Sequence, residues 1–347
     1  MTTKTPVTFQ HIADAHKRIA SIISNTPIVE SSLLNKWLGH RILFKAECLQ
    51  KTGAFKMRGA CNVLAHLSEL GQLPKRIVAN SSGNHAQAVA FAAAHFNIPA
   101  TIFTASNVSV VKAAATEYYG AEVLKFPTRL QADAAVAEAA KEEGTLWIPP
   151  YNHNDIIAGQ GTAAYEALQE LQNVDLVAAP CGGGGLLSGS LIATRELAPH
   201  AKVIGAEPLM ANDAARSLRL GKIVGLEKPA VTFADGAATP MVGELTFPYL
   251  QQTDGFYEVD ENRIAYWTQW LQHLLKLHIE PTCAMTMEAV VQWLIEQKPS
   301  EPQTVLVLIS GGNIAETMMR AVWQEDHLQT LPSLNVSTAQ EAQNLAS

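Results

Sequence analysis

The sequence predicts an α/β protein with two domains, each an open, mostly parallel twisted sheet flanked by helices. Apolar strand-like runs alternate with helical patterns along most of the 347 residues. Polar or glycine-rich loops follow several strands and open the next helix, a pattern typical of parallel sheets covered on both faces. Only 16% of the residues are charged, so a chain of this length can bury a large core.

Six apolar runs are predicted strands, taken in chain order. They are RIVAN (76–80), PATIFTA (99–105), AEVLKF (121–126), DLVAAP (175–180), KVIGAE (202–207) and TVLVLIS (304–310). Helical spacing of apolar residues is clear in AQAVAFAAAHF, in QADAAVAEAAKEEG and in RIAYWTQWLQHLLKLHI. Ligands of such folds bind beyond the carboxyl ends of strands, so the loops at these positions are the candidate sites.

The order of these elements favours two sheets with a cleft between them. Segment 66–151 is expected to form a small domain inserted into a larger one made of 1–65 and 152–324. Residues 325–347 are expected to be a polar C-terminal tail, and no regulatory domain is expected.

Charge and cysteine usage exclude several classes of protein. A net charge of −7 argues against nucleic acid or an anionic membrane as the main partner. The four cysteines are scattered without a C-x-x-C pair or zinc spacing, which fits reduced thiols. No stretch has the ~18 apolar residues of a membrane span, and the first residues lack a signal-peptide core. We therefore expect a soluble cytoplasmic protein.

CGGGGLLSGS places Gly182–Gly185 between an apolar strand and a helix. Without Cβ atoms, backbone N–H groups there can converge on an anion, and the helix start favours negative charge. The dinucleotide pattern G-x-G-x-x-G fails because its third glycine would fall on Leu187 or Ser188, and no G-K-[ST] follows. A phosphate monoester remains as the ligand, with a tight turn needed only for packing as the alternative.

Two further loops carry polar groups after predicted strands. In NSSGNH, hydroxyl, amide and backbone N–H groups at a helix start suit a carboxylate, although an ordinary N-capping loop would look the same. Ser82 or His85 in this loop could also move a proton. In SGGN, Ser310 ends an apolar run where its hydroxyl could meet a ring nitrogen, or could serve only the turn.

Lys56 follows a Thr-Gly-Ala turn and falls in the first turn of a predicted helix. A cation is disfavoured there because a helix N-terminus carries about half a positive charge. Either the side chain extends into water as an ordinary surface lysine, or its amine is neutral or covalently occupied while it functions.

Together these motifs resemble the fold-type II pyridoxal-phosphate enzymes, and within them the serine/threonine dehydratase and serine racemase branch. The resemblance extends from about Thr26 to about Glu316. It rests on motifs in the same order as in that family, namely KAECLQKTGAFKMRGA, SSGNHAQ, AGQGT, CGGGGLLSG, GAEP, ADG, EPT and SGGN.

The resemblance implies roles for individual residues. Lys56 would form a Schiff base with pyridoxal phosphate, which would explain its unusual place, and Ser82 would act as an acid or base on the opposite face of the substrate. Implied cofactor contacts are Lys56, Phe55, Asn84, Gly182, Gly183, Gly184, Gly185, Leu186, Glu280, Ser310 and Gly311. Implied substrate contacts are Ser81, Ser82, Asn84, His85, Thr239 and Arg129, although Arg129 could equally be a solvated helix-start residue. The small domain would bind the substrate carboxylate and the large one the cofactor.

GAEPLMAND resembles a divalent-cation site of the racemase branch, with Glu207 and Asp213 as carboxylate ligands and Ala211 as a carbonyl ligand. Such oxygen ligands suit Mg²⁺ or another divalent cation. Two carboxylates at this spacing could also be a solvated face.

The implied activity is that of a threonine/serine dehydratase, an ammonia-lyase that turns L-threonine or L-serine into a 2-oxo acid and ammonia; a threonine substrate would connect it with isoleucine biosynthesis. Alternatives are a serine racemase, a 3-hydroxyaspartate dehydratase, a β-replacement enzyme like cysteine synthase, or a sensing module without turnover. The expected partners are a small hydroxy-amino-acid substrate and a second copy of the chain in a homodimer. Ala54 replaces the family's more usual serine, and the segment around 151–154 differs from commoner versions, which leaves the substrate open.

Overall fold

The computed structural model describes residues 5–81, 83–106 and 108–334. In these ranges the strands are β1 (Ile28–Glu30), β2 (Arg41–Ala46), β3 (Arg76–Asn80), β4 (Ala100–Ala105), β5 (Glu122–Phe126), β6 (Thr145–Trp147), β7 (Leu176–Pro180), β8 (Lys202–Pro208), β9 (Gly255–Val259) and β10 (Thr304–Ile309). The α-helices are α1 (Phe9–Ile19), α2 (Ser32–Leu38), α3 (Lys56–Glu69), α4 (Asn84–His95), α5 (Val110–Tyr118), α6 (Arg129–Ala139), α7 (Asn154–Glu170), α8 (Gly185–Leu197), α9 (Asp213–Leu220), α10 (Phe247–Leu250), α11 (Glu261–Leu275), α12 (Pro281–Gln297) and α13 (Glu316–Val322).

The larger sheet has six strands in the order β1-β2-β10-β7-β8-β9, and only the β1–β2 pair is antiparallel. Both of its faces are buried, as the alternation along β10 shows. Val305 and Val307 belong to a core with α11 and α12, whereas Leu306 and Leu308 belong to a core with α7 and α8. A strand covered on both sides reads as the continuous apolar run seen in the sequence.

The smaller sheet has four parallel strands in the order β5-β4-β3-β6. One face packs on α3 and α4, with Ile77 and Ile102 in that core, and the other face packs on α6 through Val78 and Phe103. The predicted fold class is therefore confirmed: this is an α/β protein with two mostly parallel sheets flanked by helices.

All six predicted strands are present, within one or two residues of the predicted ends. The strands that sequence reasoning missed are β1, β2, β6 and β9. Two of these have only three residues, and β9 is mostly half-buried. In β2, the charged Lys45 interrupts the apolar pattern, although its side chain is fully buried.

The strands of the smaller sheet all lie within 66–151 and those of the larger sheet outside it. The domain limits themselves stay a prediction. Of the expected tail, residues 325–334 contact α11: Gln269 Nε2 donates to the Glu325 carbonyl at 2.6 Å and Trp270 Nε1 to the Thr330 carbonyl at 3.0 Å. Residues 335–347 lie outside the described part of the chain. Within that part, the helices are all too short or too polar to cross a membrane.

Strand order brings distant loops together. Because β10 lies between β2 and β7, the loop 182–185 after β7 and Ser310 after β10 meet at one edge of the larger sheet. In the smaller sheet, β3 and β6 are neighbours, so the start of α4 and the loop at 148–151 also meet, and His85 Nε2 lies 2.8 Å from the Ile148 carbonyl. These two edges face each other across the cleft, and the candidate site is assembled from both.

Helix α3 is anchored by a buried cluster of charges. Arg58 donates to both oxygens of Glu47 at 2.7 and 2.8 Å, and to both oxygens of Glu166 at 2.7 Å. Lys45 Nζ lies 2.9 Å from Glu166 Oε2. The Arg58 and Glu47 side chains are fully buried, so each charge depends on its partners for the stabilisation that water would otherwise give.

We expect Arg58→Met to lower the free energy of unfolding by about 3–5 kcal/mol, because two buried carboxylates lose their main cation. Urea or thermal unfolding measures the change. The matched control is Arg320→Met, which removes a pair with Glu316 whose side chains are 77% and 74% exposed. It should change the free energy of unfolding by no more than about 0.5 kcal/mol. Equal effects of the two substitutions would contradict the role given to the cluster.

Candidate active site

A cavity of about 740 Å³ lies between the two sheet edges. Most of the predicted site residues line it: Phe55, Lys56, Ser81, Asn84, His85, Arg129, Gly182, Gly183, Gly184, Gly185, Leu186, Thr239, Glu280 and Ser310. Ser82 lies outside the described residues. Gly311 supports the wall, since its carbonyl accepts a hydrogen bond from the Glu280 amide at 3.1 Å. The sequence motifs thus converge on one cavity.

Lys56 is the first residue of α3, as predicted, and its side chain points into the cavity. Its Nζ donates a 2.8 Å hydrogen bond to the carbonyl of Pro150, which follows β6 of the smaller sheet. Burial lowers the pKa of the amine to about 8, against a smaller opposing effect of the Glu280 carboxylate. An appreciable fraction of this lysine is therefore neutral near neutral pH, as a nucleophile or base requires.

The glycine loop leaves no room for side chains. A Cβ on Gly183 would lie 2.2 Å from the ring of Tyr151, and one on Gly185 would lie 2.2 Å from Gln160 Oε1. Gly184 has φ of +93°, a left-handed conformation that favours glycine. The loop ends at the start of α8, where the first amides have no partner within the helix and favour an anion.

Asn84 and Ser310 meet at the buried carboxyl of Glu280. Asn84 Nδ2 donates to Glu280 Oε2 at 3.0 Å, and Ser310 Oγ donates to Oε1 at 3.3 Å. Burial raises the pKa of Glu280, and the nearby Asp235 adds to the effect, while the two hydrogen bonds oppose it. Ser310 Oγ thus lies against this carboxyl group, and both residues belong to the cavity wall that a ligand would meet.

His85 is held in a neutral form. Its Nε2 lies 2.8 Å from the Ile148 carbonyl, which can only accept a hydrogen bond, so Nε2 carries the proton. Burial, together with the charge of Lys56, lowers the pKa of His85 to about 3. Its Nδ1 therefore offers a lone pair to the cavity. In this state it cannot donate a hydrogen bond to a substrate carboxylate, and the predicted contact would require a different ring orientation or a bridging donor.

The residues fit pyridoxal phosphate. Three buried polar atoms at or beside the cavity have no hydrogen-bond partner within the described ranges: Thr239 Oγ1, His85 Nδ1 and Gln160 Oε1. Buried polar atoms are rarely left unpaired in proteins, so these indicate a polar ligand. A reactive amine, a backbone anion site and a hydroxyl wall surround the same space, and they match the aldehyde, phosphate and ring of that cofactor.

The structure adds site residues that sequence reasoning missed. The Pro150 carbonyl, the ammonium of Lys112 and the carboxylate of Asp235 all border the cavity. Lys112 Nζ lies 2.8 Å from Asp235 Oδ2, a pair that joins α5 of the smaller sheet to a loop of the larger domain across the cleft. Asp235 belongs to the ADG motif of the sequence analysis, which gave it no role, and the contacts of these residues are with partners far away in the sequence.

The predicted cation ligands do not line the cavity: Glu207 lies near the end of β8, Ala211 in the turn that follows, and Asp213 at the start of α9. Glu207 accepts hydrogen bonds from the amides of Ala214 at 3.1 Å and Ala215 at 2.6 Å, and Asp213 Oδ2 has no partner among the described residues. Burial raises the pKa of Glu207 to about 8 and that of Asp213 to about 7. In the described ranges, no group of three or more His, Cys, Asp or Glu could hold a metal ion, so a site here would need the Ala211 carbonyl and water.

Comparison with known proteins agrees with this geometry. Residues 19–311 match the family described as "Pyridoxal-phosphate dependent enzyme". The chain is 39% identical to an L-threo-3-hydroxyaspartate ammonia-lyase of Saccharomyces cerevisiae, over 88% of this chain and 93% of that one. It is also 39% identical to a serine racemase of Dictyostelium discoideum, over 89% of this chain and 95% of that one.

A solved structure, that of a threonine deaminase from T.th., superposes with a TM-score of 0.82 at 39% identity. The match covers 89% of this chain and 99% of that one. Taken together, the comparisons favour the serine racemase and 3-hydroxyaspartate alternatives over the threonine/serine dehydratase that the sequence analysis put first. The chain belongs to the pyridoxal-phosphate-dependent enzymes of fold type II, in the branch of serine racemases, threonine deaminases and hydroxyaspartate ammonia-lyases.

Proposed function

We propose that the chain is an ammonia-lyase that removes the β-hydroxyl group from 3-hydroxyaspartate and from serine, giving a 2-oxo acid and ammonia. The observation that carries this proposal is the Lys56 amine, whose pKa is lowered by burial and which shares one cavity with the glycine loop and a serine wall. The identity to the yeast hydroxyaspartate ammonia-lyase supports the choice of substrate.

Bound pyridoxal phosphate supplies an electron sink for the negative charge that develops at the substrate α-carbon. In this proposal, Lys56 would hold the cofactor at rest, and its Nζ would be available as a free amine while substrate is bound. The neutral Nζ then accepts the α-proton, and the resulting ammonium can donate to the Pro150 carbonyl, which lies 2.8 Å from Nζ in the structure. The β-hydroxyl group would leave as water after taking a proton from an acid in the cavity, and a water molecule would then hydrolyse the released enamine to the 2-oxo acid and ammonia.

The walls of the cavity suit a hydroxy-amino acid with a second carboxylate. The start of α4 and Ser81 offer donors for the α-carboxylate. Lys112 and Arg129 line the same cavity and add positive charge beyond that loop. Each of these cations is paired with a carboxylate of the cavity, Asp235 for Lys112 and Asp133 for Arg129. A second substrate carboxylate could replace one of these partners, which favours 3-hydroxyaspartate as the better substrate.

Serine racemisation is the second candidate. It is supported by the identity to the Dictyostelium serine racemase and by a serine-containing loop at the cavity edge, where Ser81 Oγ accepts from the Gly83 amide at 3.2 Å. The step needs an acid or base on each face of the α-carbon. Lys56 would serve one face and Ser82, which lies outside the described residues, the other.

The test is a substrate screen with both enantiomers of serine and threonine and with all stereoisomers of 3-hydroxyaspartate, following 2-oxo acid, ammonia and chirality. We expect ammonia release to be fastest from 3-hydroxyaspartate. Lys56→Ala should abolish the absorbance of the lysine-bound cofactor and lower ammonia release by roughly 10³-fold or more. Full turnover by Lys56→Ala would contradict the mechanism, and chirality change without ammonia would favour the racemase.

The lowered pKa of Lys56 gives a pH prediction for the cofactor-free protein. The folded-state value of about 8 lies below the ~10.4 of a free lysine, so the neutral, reactive form appears as the pH rises through 8. Labelling by trinitrobenzenesulfonate, followed at Lys56 by mass spectrometry, should rise with a midpoint near pH 8. A midpoint above pH 10 would show that burial does not lower the pKa.

We also propose that Glu207, Asp213 and the Ala211 carbonyl bind a divalent cation, since a cation would offset the cost of two buried carboxylates. At a concentration of 100 times the Kd, Mg²⁺ or Ca²⁺ should raise the free energy of unfolding by about 2.7 kcal/mol. The thermal midpoint should rise accordingly. Asp213→Asn should remove this response, whereas Glu301→Gln at an exposed position should keep it. An unchanged midpoint in the native protein would contradict the proposal.

The homodimer and the connection with isoleucine biosynthesis stay predictions.

A further inference from the structure

The cavity contains two basic side chains besides Lys56, counting arginines and lysines of the described ranges, and their surroundings differ. Lys112 Nζ lies 2.8 Å from Asp235 Oδ2, and its side chain is only 13% exposed. Arg129 Nε lies 3.1 Å from Asp133 Oδ1, and its side chain is 58% exposed. A cation shielded from water forms a stronger pair with a ligand carboxylate than one at the surface.

Arg129 is held at the rim by a network within the smaller sheet. Its partner Asp133 also accepts a 2.6 Å hydrogen bond from Asn80 Nδ2, and Asn80 Oδ1 accepts one from Trp147 Nε1 at 3.1 Å. The guanidinium is thus the outermost member of a chain of side chains. Its exposure makes it the poorer candidate for the substrate's second carboxylate.

Lys112 lies next to the loop that is expected to hold the substrate. Its Nζ is 4.0 Å from the position that a Cβ on Gly83 would occupy, between Ser81 and Asn84. The ammonium is therefore close to any ligand whose α-carboxylate binds at that loop.

The present partner of Lys112 can be exchanged. The Asp235 side chain is 43% exposed and belongs to the opposite side of the cleft. A carboxylate that is nearly half exposed can turn into water at little cost when another carboxylate replaces it. The pair therefore keeps the ammonium neutralised until an acidic ligand arrives.

We propose that Lys112 is a specificity-determining residue that binds the distal carboxylate of a four-carbon, 2-amino dicarboxylic substrate, and that Asp235 occupies this position in its absence. This inference rests on the proposed function and refines it. Serine has no distal carboxylate, so its binding leaves the Lys112–Asp235 pair in place. No covalent bond changes in the exchange.

The same pair could instead act only as a tie between the two sides of the cleft. Two substitutions separate these roles, because both break the pair but only one removes the cation. Lys112→Met should lower the ratio of kcat/KM for 3-hydroxyaspartate to kcat/KM for serine by roughly tenfold to hundredfold, the usual effect of a lost hydrogen bond to a charged group. Asp235→Asn should lower the KM for 3-hydroxyaspartate, because the competing carboxylate is gone.

Arg129→Met tests whether the other cation of the cavity binds the distal carboxylate instead. Lys141→Met is the matched control for loss of a positive charge, because this side chain just after α6 is 72% exposed. We expect the Lys141 variant to keep the native ratio and the Arg129 variant to change it less than the Lys112 variant does. The proposal is overturned if Lys112→Met and Asp235→Asn lower the ratio alike, or if the loss follows Arg129 and not Lys112.

Binding without turnover separates this proposal from the proposed function. The cofactor-loaded protein is titrated with succinate and with butyrate, and Kd is measured by calorimetry. Lys112→Met should weaken succinate at least about tenfold more than butyrate, even if the native protein releases no ammonia from 3-hydroxyaspartate. An equal loss for both acids would overturn the role of Lys112. If the native protein releases no ammonia but Lys112→Met selectively weakens succinate binding, only the proposed reaction is overturned.

Discussion

The position of the reactive amine depends on a cluster of charges buried beneath it. Arg58, two residues along α3 from Lys56, is clamped between Glu47 and Glu166, which come from the end of β2 and from α7. Burial of so many charges is costly unless every one is paired, so the arrangement tolerates very few alternatives. Helix α7 also approaches α3 closely, since a Cβ on Gly159 would lie 2.6 Å from the Arg58 carbonyl. These contacts therefore fix the position of the start of α3 and, with it, the position of Lys56.

A hydrogen bond connects this anchored helix with the loop that follows β6 of the smaller sheet. Pro150 accepts a hydrogen bond from Lys56, and the Gln160 side chain of α7 donates to the same carbonyl at 3.1 Å. From the smaller sheet, Asn84 Nδ2 at the start of α4 donates a hydrogen bond to Glu280 Oε2 of the larger domain. The cavity is thus defined by a few hydrogen bonds between two separately packed cores, and its geometry depends on how the two sheets meet.

Much of the fold is readable in the sequence because strands buried on both faces, such as β7 and β10, are uninterrupted apolar runs. The glycine loop is equally readable, since Gly182–Gly185 are consecutive and the anion binding predicted for them requires only backbone groups. In contrast, Lys56 and Pro150 are 94 residues apart and Lys112 and Asp235 are 123 apart. Such contacts arise from the packing of two sheets against each other, which leaves no local pattern in either segment. Short strands such as β6 were missed for a related reason, because three residues show no periodicity.

The backbone character of the glycine loop has an evolutionary consequence. Every residue except proline has a backbone N–H group, and a Cβ on Gly183 would lie 2.2 Å from the Tyr151 ring, so a substitution there requires Tyr151 to move. Side chains such as Lys112 and Arg129 line the opposite wall, and substituting either one leaves the glycine loop unchanged. Descendants of such a scaffold can acquire new substrates by drift in the smaller sheet while the larger one keeps its prosthetic group.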